Sequence, residues 1–548
     1  MVTFHAYLIF CMKKLYFFLI PSLFCRVAYA QTQQDTLAKI EHVFARVAAQ
    51  NPGCQLTVAR NGNVLFSKAW GMADLEHGIP LSPKSLIEAG SVSKQFTAAA
   101  VLLLEQQGRL SLEDDIRKHV PEMPDYGRPI RLRHLLHHTS GIRDWGSVAA
   151  LTGWPRSTKF YSHKEALDII VHQKSLNNQP GDEFIYSNSN YNLLAIIVQR
   201  VSGLSLADYT RKHIFEPAGM ANTQWRDNPN RVVPNRAMAY RKVGEGYETN
   251  MPNEFVYGNG GLLTTTDDLV KWQEFYRRGK MGTAPLLAKQ TQVERLTRGG
   301  ANEYGAGLFI EKASGQDVIT HSGATAGYRA NLEIFPKSGL SIALLSNTGQ
   351  YNIGDMATSL RNIFITPPAP EAPAITGIKL PEGKLNAYAG WYRNPRDGAG
   401  LQLAVKDGAL LYANDNKLKL LPQSETRFAL NRNVVEMDGM KGLRYIVPSG
   451  DTVSYAKVAP ALASDNLAAF VGRYFSEETS SFITVSQRNG KLMLSLKPED
   501  NNELTPTYKD AFTIASAGVD LYFTKQKKGR MSMKISIPRA RNVEFVKM

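Results

Sequence analysis

The pattern of apolar and polar positions changes along the chain and divides it into parts. Two short apolar runs, 56–58 and 64–66, flank a turn sequence at residues 60–63, which predicts a β-hairpin. A buried helix is predicted at 92–107, where apolar residues recur at helical spacing until a glycine follows. Polar, helical and loop-rich sequence continues to about residue 255. Three strand patterns and a last helix come next, at residues 304–310, 327–335, 340–346 and 352–364.

Strands at both ends of a helical block predict an antiparallel sheet that the N- and C-terminal segments complete together, with a helical subdomain inserted between them. The fold class predicted for residues 31–366 is therefore α/β (α+β). Residues 367–376 contain four prolines and predict a stiff, extended linker. This linker separates the first part of the chain from a C-terminal part with a different pattern.

The C-terminal part, residues 377–548, shows no helical periodicity and contains an internal repeat. Leu385 and Leu467 are one of several matching pairs that lie at a constant offset of 82 residues. Each copy alternates apolar and polar residues between Asp-Gly or Asn-Gly turns. The repeat predicts two small all-β barrels of the lipocalin-like type, at 377–460 and 461–548.

Residues 1–30 have the order of a secretory signal peptide. Two lysines precede an apolar stretch that ends in small-x-small at residues 28–30, so cleavage is predicted before Gln31. Met12 is an alternative start, because nothing before it adds to the signal. A membrane anchor is the alternative interpretation, but the apolar run is shorter than the ~20 residues that a span needs. We expect a protein secreted to the periplasm or the cell surface of a bacterium.

Composition and charge narrow the classes of function. The chain has 548 residues, of which 43% are hydrophobic and 21% charged, and Cys54 is its only cysteine after residue 30. A small disulfide-stapled scaffold is excluded, and no internal disulfide is expected. Removal of residues 1–30 lowers the formal net charge from +15 to +12, because three basic residues and no acidic one are lost.

The positive charge is concentrated in the C-terminal part. Residues 377–548 contain 25 basic and 17 acidic residues, and the excess is greatest at 525–530. Such a segment is either a solvated hairpin or a patch that binds an anionic cell-envelope polymer. No nucleic-acid-binding motif accompanies the charge, so we do not expect nucleic acid as a partner.

Ser91 and Lys94 open the predicted apolar helix and, three residues apart, share one of its faces. A serine hydroxyl becomes an effective nucleophile when a neighbouring base takes its proton. A partly desolvated lysine near a helix N-terminus has a pKa low enough to do so. The same spacing recurs at Ser454 and Lys457, but there the pattern is that of a strand, in which residues three apart face opposite ways. We interpret that second pair as a chance match.

Two further motifs follow in order. Tyr186 and Asn188 form Y-x-N before an apolar helix, and His321 and Gly323 form H-x-G at the end of a predicted strand. The series S-x-x-K, Y-x-N and H-x-G resembles the three signature elements of the serine β-lactamase and penicillin-binding protein superfamily, most closely its class C β-lactamase-related branch. The resemblance covers about residues 35–365.

The resemblance implies a role for each motif residue. Ser91 is expected to be the acylated nucleophile, while Lys94 and Tyr186 share the proton transfers. Asn188 is expected to position Lys94 and a substrate amide. The backbone N–H groups of Ser91 and of Ala324, just after the third motif, are expected to form the oxyanion hole.

His321 and Gly323 belong to the implied substrate-binding residues, and His321 departs from the common pattern. Most members place Lys-Thr-Gly there, and the ammonium helps to hold a substrate carboxylate. A histidine is only partly charged near neutral pH and gains charge as the pH falls. The H-x-G form is more typical of esterases and D-aminopeptidases. Two barrels after the catalytic domain also resemble the D-aminopeptidase arrangement, in which a loop of the last barrel approaches the active site, but the sequence does not identify that loop.

We expect a secreted serine hydrolase that forms an acyl-enzyme on Ser91 and hydrolyses small amides or esters, with D-amino-acid amides and peptides favoured. Esterase, β-lactamase and D-Ala-D-Ala carboxypeptidase activities are alternatives within the superfamily, and a non-catalytic envelope-binding protein is an alternative of another class. No cofactor and no metal are expected. His137 and His138 are adjacent but have no further ligands at metal-binding spacing, so we predict that they are structural.

Overall fold

The computed structural model describes residues 34–277, 284–366, 377–413, 418–463, 465–526 and 529–548. The predicted signal peptide (1–30) and the Pro-rich linker (367–376) lie outside the described residues. Within the described ranges, no helix is both long enough and apolar enough to cross a membrane.

The first part of the chain has strands at both ends and helices between them. In chain order its strands are β1 Cys54–Arg60, β2 Asn63–Trp70, β3 Met72–Asp74, β4 Ile79–Pro80, β5 Ile87–Glu88, β6 Gln224–Trp225, β7 Tyr240–Val243, β8 Gly246–Thr249, β9 Leu262–Thr264, β10 Phe309–Ala313, β11 Gln316–Thr325, β12 Tyr328–Phe335 and β13 Leu340–Ser346. Its helices are α1 34–44, α2 Lys94–Gln106, α3 Leu132–Leu136, α4 Trp145–Leu151, α5 His163–Val171, α6 Asn188–Ser202, α7 Leu206–Thr210, α8 Glu216–Ala218, α9 Thr266–Arg277, α10 Ala284–Thr291 and α11 Ile353–Phe364.

The main sheet is antiparallel and has the strand order β10-β11-β12-β13-β1-β2. The strand β1 pairs with β13 along its whole length, from Cys54 opposite Ser346 to Arg60 opposite Leu340. The N- and C-terminal segments of the first part therefore complete one sheet. The predicted fold class, an antiparallel sheet with an inserted helical subdomain, is confirmed.

The strand predicted at 304–310 is displaced, since β10 begins only at Phe309. The cause is a close approach between Gly307 and the backbone at the start of α2, where a Cβ at Gly307 would lie 2.8 Å from the amide nitrogen of Gln95. The segment before β10 therefore runs against α2 and does not join the sheet.

Helices cover both faces of the sheet and place the start of α2 at the centre of the first part. Alternate residues of β13 show the two faces: Leu344 packs with α1 and α11, whereas Leu345 belongs to the core that contains α2 and α9. The helix α2 is buried from Lys94 to Leu104. Its first turn lies where the sheet meets the helical subdomain, α3–α8.

Two closed eight-stranded barrels follow α12 Glu382–Tyr388 and confirm the all-β prediction for the C-terminal part. The strands of barrel 1 are β14 Gly390–Arg393, β15 Gly400–Lys406, β16 Ala409–Tyr412, β17 Lys419–Pro422, β18 Arg427–Leu430, β19 Asn433–Asp438, β20 Gly442–Ile446 and β21 Thr452–Val458. Those of barrel 2 are β22 Gly472–Ser476, β23 Ser481–Arg488, β24 Lys491–Ser495, β25 Asn502–Pro506, β26 Ala511–Ile514, β27 Val519–Lys525, β28 Met531–Ile537 and β29 Ala540–Lys547.

The sequence repeat corresponds to a repeated contact in the two barrels. The Tyr392 hydroxyl donates to the carbonyl of Tyr388 at 2.7 Å, and the Tyr474 hydroxyl donates to the carbonyl of Phe470 at 2.7 Å. Both tyrosines are buried and fix the first strand of a barrel against the helical turn before it. The 82-residue offset therefore repeats a structural role as well as residue types.

Barrel 2 is docked on the helical subdomain. Val148 and Leu151 of α4 belong to the same buried apolar cluster as the barrel 2 core. Beside them the Arg143 guanidinium, whose side chain is 0% exposed, binds the Glu478 carboxylate at 2.6 Å. Removal of one partner from a buried ion pair is strongly destabilising, so this contact ties barrel 2 to the helical subdomain.

All three parts of the chain meet at Glu183. Its carboxylate binds Arg298 from the first part at 3.2 Å, Arg396 from barrel 1 at 3.1 Å and Arg541 from barrel 2 at 2.9 Å. A single buried carboxylate thus connects both barrels to the segment that leads into α6.

Candidate active site

Ser91 lies in a short 3₁₀ turn, Gly90–Ser93, that leads directly into α2. Gly90 has φ +51° and lies against β11, where a Cβ would be 2.7 Å from the amide nitrogen of Ala324. The Ser93 hydroxyl donates to the Gly90 carbonyl at 2.5 Å and stabilises the turn. The turn presents the Ser91 side chain at the floor of a cleft and places Lys94 beneath it.

Lys94 is fully buried and makes three polar contacts. Its Nζ atom lies 3.1 Å from Ser91 Oγ, 3.0 Å from Asn188 Oδ1 and 2.6 Å from the carbonyl oxygen of Asn259. Burial lowers the pKa of Lys94 well below its usual value, and the nearby positive charge of Arg539 lowers it further. The amine is therefore shifted towards its neutral form.

The second motif is at the N-terminus of α6. Asn188 is the first residue of this helix, and its backbone N–H donates to the Asp144 carboxylate at 2.7 Å. Tyr186 precedes it, with its ring centroid 4.8 Å from the Lys94 Nζ atom. Burial raises the pKa of the Tyr186 phenol, while the neighbouring Ser91 hydroxyl partly opposes that rise. Tyr186 is therefore a protonated phenol at neutral pH.

The His138 ring packs against the Tyr186 ring, in agreement with the structural role predicted for His138. The two ring centroids are 4.2 Å apart, and His138 Nδ1 accepts the backbone N–H of Ser187 at 3.2 Å. His137 contacts the carbonyl of Tyr304 at 3.1 Å through Nδ1. Burial lowers the pKa of both histidines, so both rings are neutral.

The third motif lies on β11, next to the turn that carries Ser91. A Cβ at Gly323 would overlap the carbonyl oxygen of Ala89, so only glycine permits this approach of the strand to the turn. The same approach brings the backbone of Ala324 beside Gly90 and the backbone of Gly323 beside Ser91. The two amide groups proposed as an oxyanion hole therefore belong to backbone segments in direct contact.

His321 is not the partly charged group expected from the sequence. It is 2% exposed, and burial lowers its pKa to about 3. Its Nδ1 lies 2.6 Å from the carbonyl of Ser322, which can only accept, so Nδ1 carries the hydrogen. Its Nε2 then accepts the hydroxyl hydrogen of Tyr304 at 3.0 Å. The expected gain of charge as the pH falls through neutrality is therefore wrong.

One cavity of about 880 Å³ unites the predicted residues. Of the seven residues predicted from sequence, six line it, and Lys94 is buried directly beneath Ser91. The six are Ser91, Tyr186, Asn188, His321, Gly323 and Ala324. The chance match at Ser454 and Lys457 is on β21, and the Lys457 amine donates to the carbonyl of Ala387 at 2.8 Å.

Several residues of the site were missed by the sequence analysis. Asn259, whose carbonyl binds Lys94, precedes two glycines, and such a pair is a recognisable signal of close backbone approach. Charged residues also line the cavity: Arg156, Glu254, Arg329 and Arg539. Arg539 comes from the turn between β28 and β29 of barrel 2, so this turn is the barrel loop that the sequence did not identify. No local pattern marks it, because its position depends on docking between distant parts.

Among the described residues, only Asp74, Glu76 and His77 form a group of ligand-type side chains with atoms within 4.8 Å of one another. The Asp74 carboxylate accepts the backbone N–H groups of Glu76 and His77 at 2.9 and 3.1 Å. Its other oxygen lies 2.8 Å from His77 Nδ1. These contacts explain the cluster as a hydrogen-bonded surface turn outside the cavity that contains Ser91.

Comparison with known proteins gives the family of the part of the chain that contains these residues. Residues 40–365 match the beta-lactamase family. The chain is 30% identical over 411 residues to penicillin-binding protein 4* of Bacillus subtilis, covering 69% of this chain and 88% of that protein. It is 25% identical over 475 residues to a D-aminopeptidase of Brucella canis, covering 82% and 84% of the two chains.

The fold is also similar to solved structures. The structure of the octameric penicillin-binding protein homologue from Pyrococcus abyssi aligns with a TM-score of 0.52 at 20% identity, covering 95% of this chain and 100% of that one. The superfamily predicted from the three motifs is confirmed, whereas its class C-related branch stays a prediction. The family match covers the sheet, the helical subdomain and all three motifs, and this chain belongs to the beta-lactamase family of serine hydrolases.

Proposed function

We propose that the protein hydrolyses small amides through an acyl-enzyme on Ser91, with D-amino-acid amides and peptides as the first substrate class. The observation that carries this proposal is the set of contacts around Lys94. A neutral amine has two hydrogens, and Asn188 Oδ1 and the Asn259 carbonyl are two oxygen acceptors. The remaining lone pair of Lys94 then faces the Ser91 hydroxyl at 3.1 Å.

Lys94 is the base of the acylation step in this proposal. The Ser91 oxygen attacks the substrate carbonyl carbon while its proton passes to the Lys94 amine, which becomes an ammonium. Negative charge develops on the carbonyl oxygen of the substrate. The backbone N–H groups of Ser91 and Ala324 are the donors assigned to that oxygen, because their segments are in contact beside the nucleophile.

Tyr186 delivers a proton to the leaving group. Its phenol is protonated at neutral pH because burial raises its pKa, and it lies beside both Ser91 and Lys94. When the C–N bond breaks, the phenol proton moves to the leaving nitrogen, and the Lys94 ammonium restores the phenol proton. A water molecule then attacks the acyl-Ser91 ester, with the same groups acting in reverse.

Relatives and the third motif support the amide preference. D-aminopeptidases are among the similar proteins, and the cation of Lys-Thr-Gly is replaced by a neutral, buried His321. We place ester hydrolysis second, since the same acyl-enzyme serves both, and β-lactam hydrolysis third. A catalytically silent binding protein is disfavoured, because Lys94 lies within 3.1 Å of the Ser91 hydroxyl and beside the Tyr186 ring.

We also propose that the protein acts in the bacterial envelope. The proposal rests on the secretory pattern of residues 1–30 and on the basic excess of residues 377–548. An anionic envelope polymer is the partner that fits this charge.

Activity on a substrate panel tests the proposed function. The panel comprises D-alanine p-nitroanilide, p-nitrophenyl acetate and nitrocefin. We expect the hydrolysis rate to fall in the order amide, ester, β-lactam. Ser91→Ala should hydrolyse none of the three substrates. The control, Ser454→Ala, should retain the activity of the unmodified protein. Residual activity of Ser91→Ala within about tenfold of the unmodified protein contradicts the assignment of the nucleophile.

A further inference from the structure

Arg539 places a positive charge in the active-site cleft, and the proposed mechanism gives this charge no role. It lies in the two-residue turn between β28 and β29 and is exposed to the cavity. Its guanidinium carbon is 4.8 Å from the centroid of the Tyr186 ring. In the part of the chain that the structure describes, this guanidinium makes no ion pair with a carboxylate.

The turn is held by main-chain contacts that do not need the arginine side chain. The carbonyl of Arg539 accepts the backbone N–H of Asp144 at 3.0 Å and the side-chain amide of Asn177 at 3.1 Å. The same Asn177 side chain accepts the backbone N–H of Arg541 at 2.8 Å. Docking therefore fixes where residue 539 lies, but it does not explain why that residue is cationic.

The nearby carboxylates are already engaged. Glu254 lines the same cavity but pairs with Arg156 at 3.4 Å. Asp144 accepts the backbone N–H groups of Ser147 and Asn188 at 3.0 and 2.7 Å. The cavity thus contains arginines in excess over carboxylates, and an anionic group of the substrate is the partner that would balance the charge of Arg539.

The position of Arg539 indicates which part of the substrate carries the anion. Tyr186 donates to the leaving nitrogen in the proposed mechanism, and Arg539 lies over the Tyr186 ring. In a peptide, the C-terminal carboxylate is only one carbon removed from that nitrogen. We infer that Arg539 determines specificity by binding a carboxylate on the leaving group, so that the substrates are short peptides with a free C-terminal carboxylate. This inference rests on the proposed function and narrows it.

A matched pair of substrates tests the inference. D-alanyl-D-alanine and D-alanyl-D-alaninamide differ only in the terminal carboxylate, and kcat/KM is measured for both by quantifying the released amine. The unmodified protein should prefer the carboxylate. Arg539→Gln should lose about tenfold on the carboxylate substrate relative to the amide, the loss typical of one charge-assisted hydrogen bond. Arg539→Lys should retain part of the preference, and Arg539→Glu should reverse it.

Arg473→Gln is the control, because Arg473 is an exposed arginine on β22 of the same barrel and packs on Phe482, outside the cavity. It should keep the preference of the unmodified protein, and thermal melting checks that every variant is folded. An unchanged substrate ratio in both Arg539→Gln and Arg539→Glu overturns the inference but leaves the proposed function standing, because both substrates are still hydrolysed. Failure of the unmodified protein to hydrolyse either substrate contradicts the proposed function itself.

Discussion

At the scale of single residues, the protonation states of two buried groups define the site. Lys94 is shifted towards a neutral amine and Tyr186 towards a protonated phenol, and burial is the largest cause of both shifts. A base and an acid therefore coexist beside Ser91 at the same pH. This pairing supports the proposed mechanism, in which Lys94 acts as the base and Tyr186 as the acid.

In the proposed mechanism, the pH dependence of catalysis follows from the protonation state of Lys94. Only the neutral amine accepts the Ser91 proton, so kcat/KM falls as the pH drops through the pKa of Lys94. Burial and the Arg539 cation lower this pKa. The acid limb of the pH profile of kcat/KM should therefore have its midpoint well below the pKa of about 10.4 for an ordinary lysine. Arg539→Gln removes a cation and raises the Lys94 pKa, so its acid limb should move to higher pH.

The measurement is the pH profile of kcat/KM for D-alanyl-D-alaninamide, which has no carboxylate to bind Arg539. Arg473→Gln should leave the limb in place. A limb that stays fixed or moves to lower pH in Arg539→Gln would show that Lys94 is not the titrating base.

The residues that the structure brings together around Ser91 could be predicted from sequence, and so could the lowered pKa of Lys94, but the charge state of His321 could not. Ser91, Lys94, Tyr186 and Asn188 belong to short motifs at helix starts, where spacing alone sets the local geometry. His321 belongs to a motif on a strand, and its neutrality depends on its burial on β11 against Tyr304. Burial is a tertiary property, and the sequence pattern around His321 does not show it.

At the scale of elements, the site depends on how β11, α2 and α6 meet and on where barrel 2 docks. The meeting of β11, α2 and α6 could be predicted, since the motifs mark the ends of regular elements. The placement of Arg539 could not, because Arg143 and Glu478 bring its turn to the cleft from another domain. The displaced start of β10 has a similar cause in the packing of Gly307 against α2.

Breaking the buried ion pair of barrel 2 should weaken its docking. In Glu478→Gln the Arg143 guanidinium stays buried without its carboxylate, which costs roughly 3 kcal/mol. We expect a lower Tm and a weaker preference for a carboxylate-bearing substrate, because the turn of Arg539 loses support. Melting curves and the substrate ratio described above measure both effects.

The neighbouring pair offers a matched control. Glu477 binds Lys174, but both side chains are largely exposed, so Glu477→Gln should change Tm little. Equal effects of the two substitutions would show that the Arg143–Glu478 pair has no special part in docking.

At the scale of the whole molecule, the barrels complete the cleft and cover part of the surface of the first part of the chain. Barrel 2 contributes Arg539 to the cavity and buries Val148 and Leu151 of α4. The sheet and its two helical layers are complete within residues 34–366, so the catalytic part has its own core. The barrels therefore cover one apolar surface, and under the inference drawn for Arg539 they also add specificity.

Truncation before the linker tests this division. A fragment of residues 31–366 should fold but expose Val148 and Leu151, and so bind a hydrophobic dye more strongly than the full chain. Leu151→Gln should reduce dye binding by the fragment, whereas in the full chain it should cost roughly 2 kcal/mol of stability, because Leu151 is buried there. Dye fluorescence and melting curves are compared for the fragment and the full chain, each with and without Leu151→Gln. Equal dye binding by fragment and full chain would mean that barrel 2 does not cover α4.

The most direct test of the proposed mechanism is to locate the covalent adduct. The protein is treated with a fluorophosphonate or a labelled penicillin, digested, and mapped by mass spectrometry. We predict one labelled peptide, modified at Ser91, in the unmodified protein and in Ser454→Ala, and no label in Ser91→Ala. Label on a different serine, or label that persists in Ser91→Ala, would contradict the assignment of Ser91 as the nucleophile.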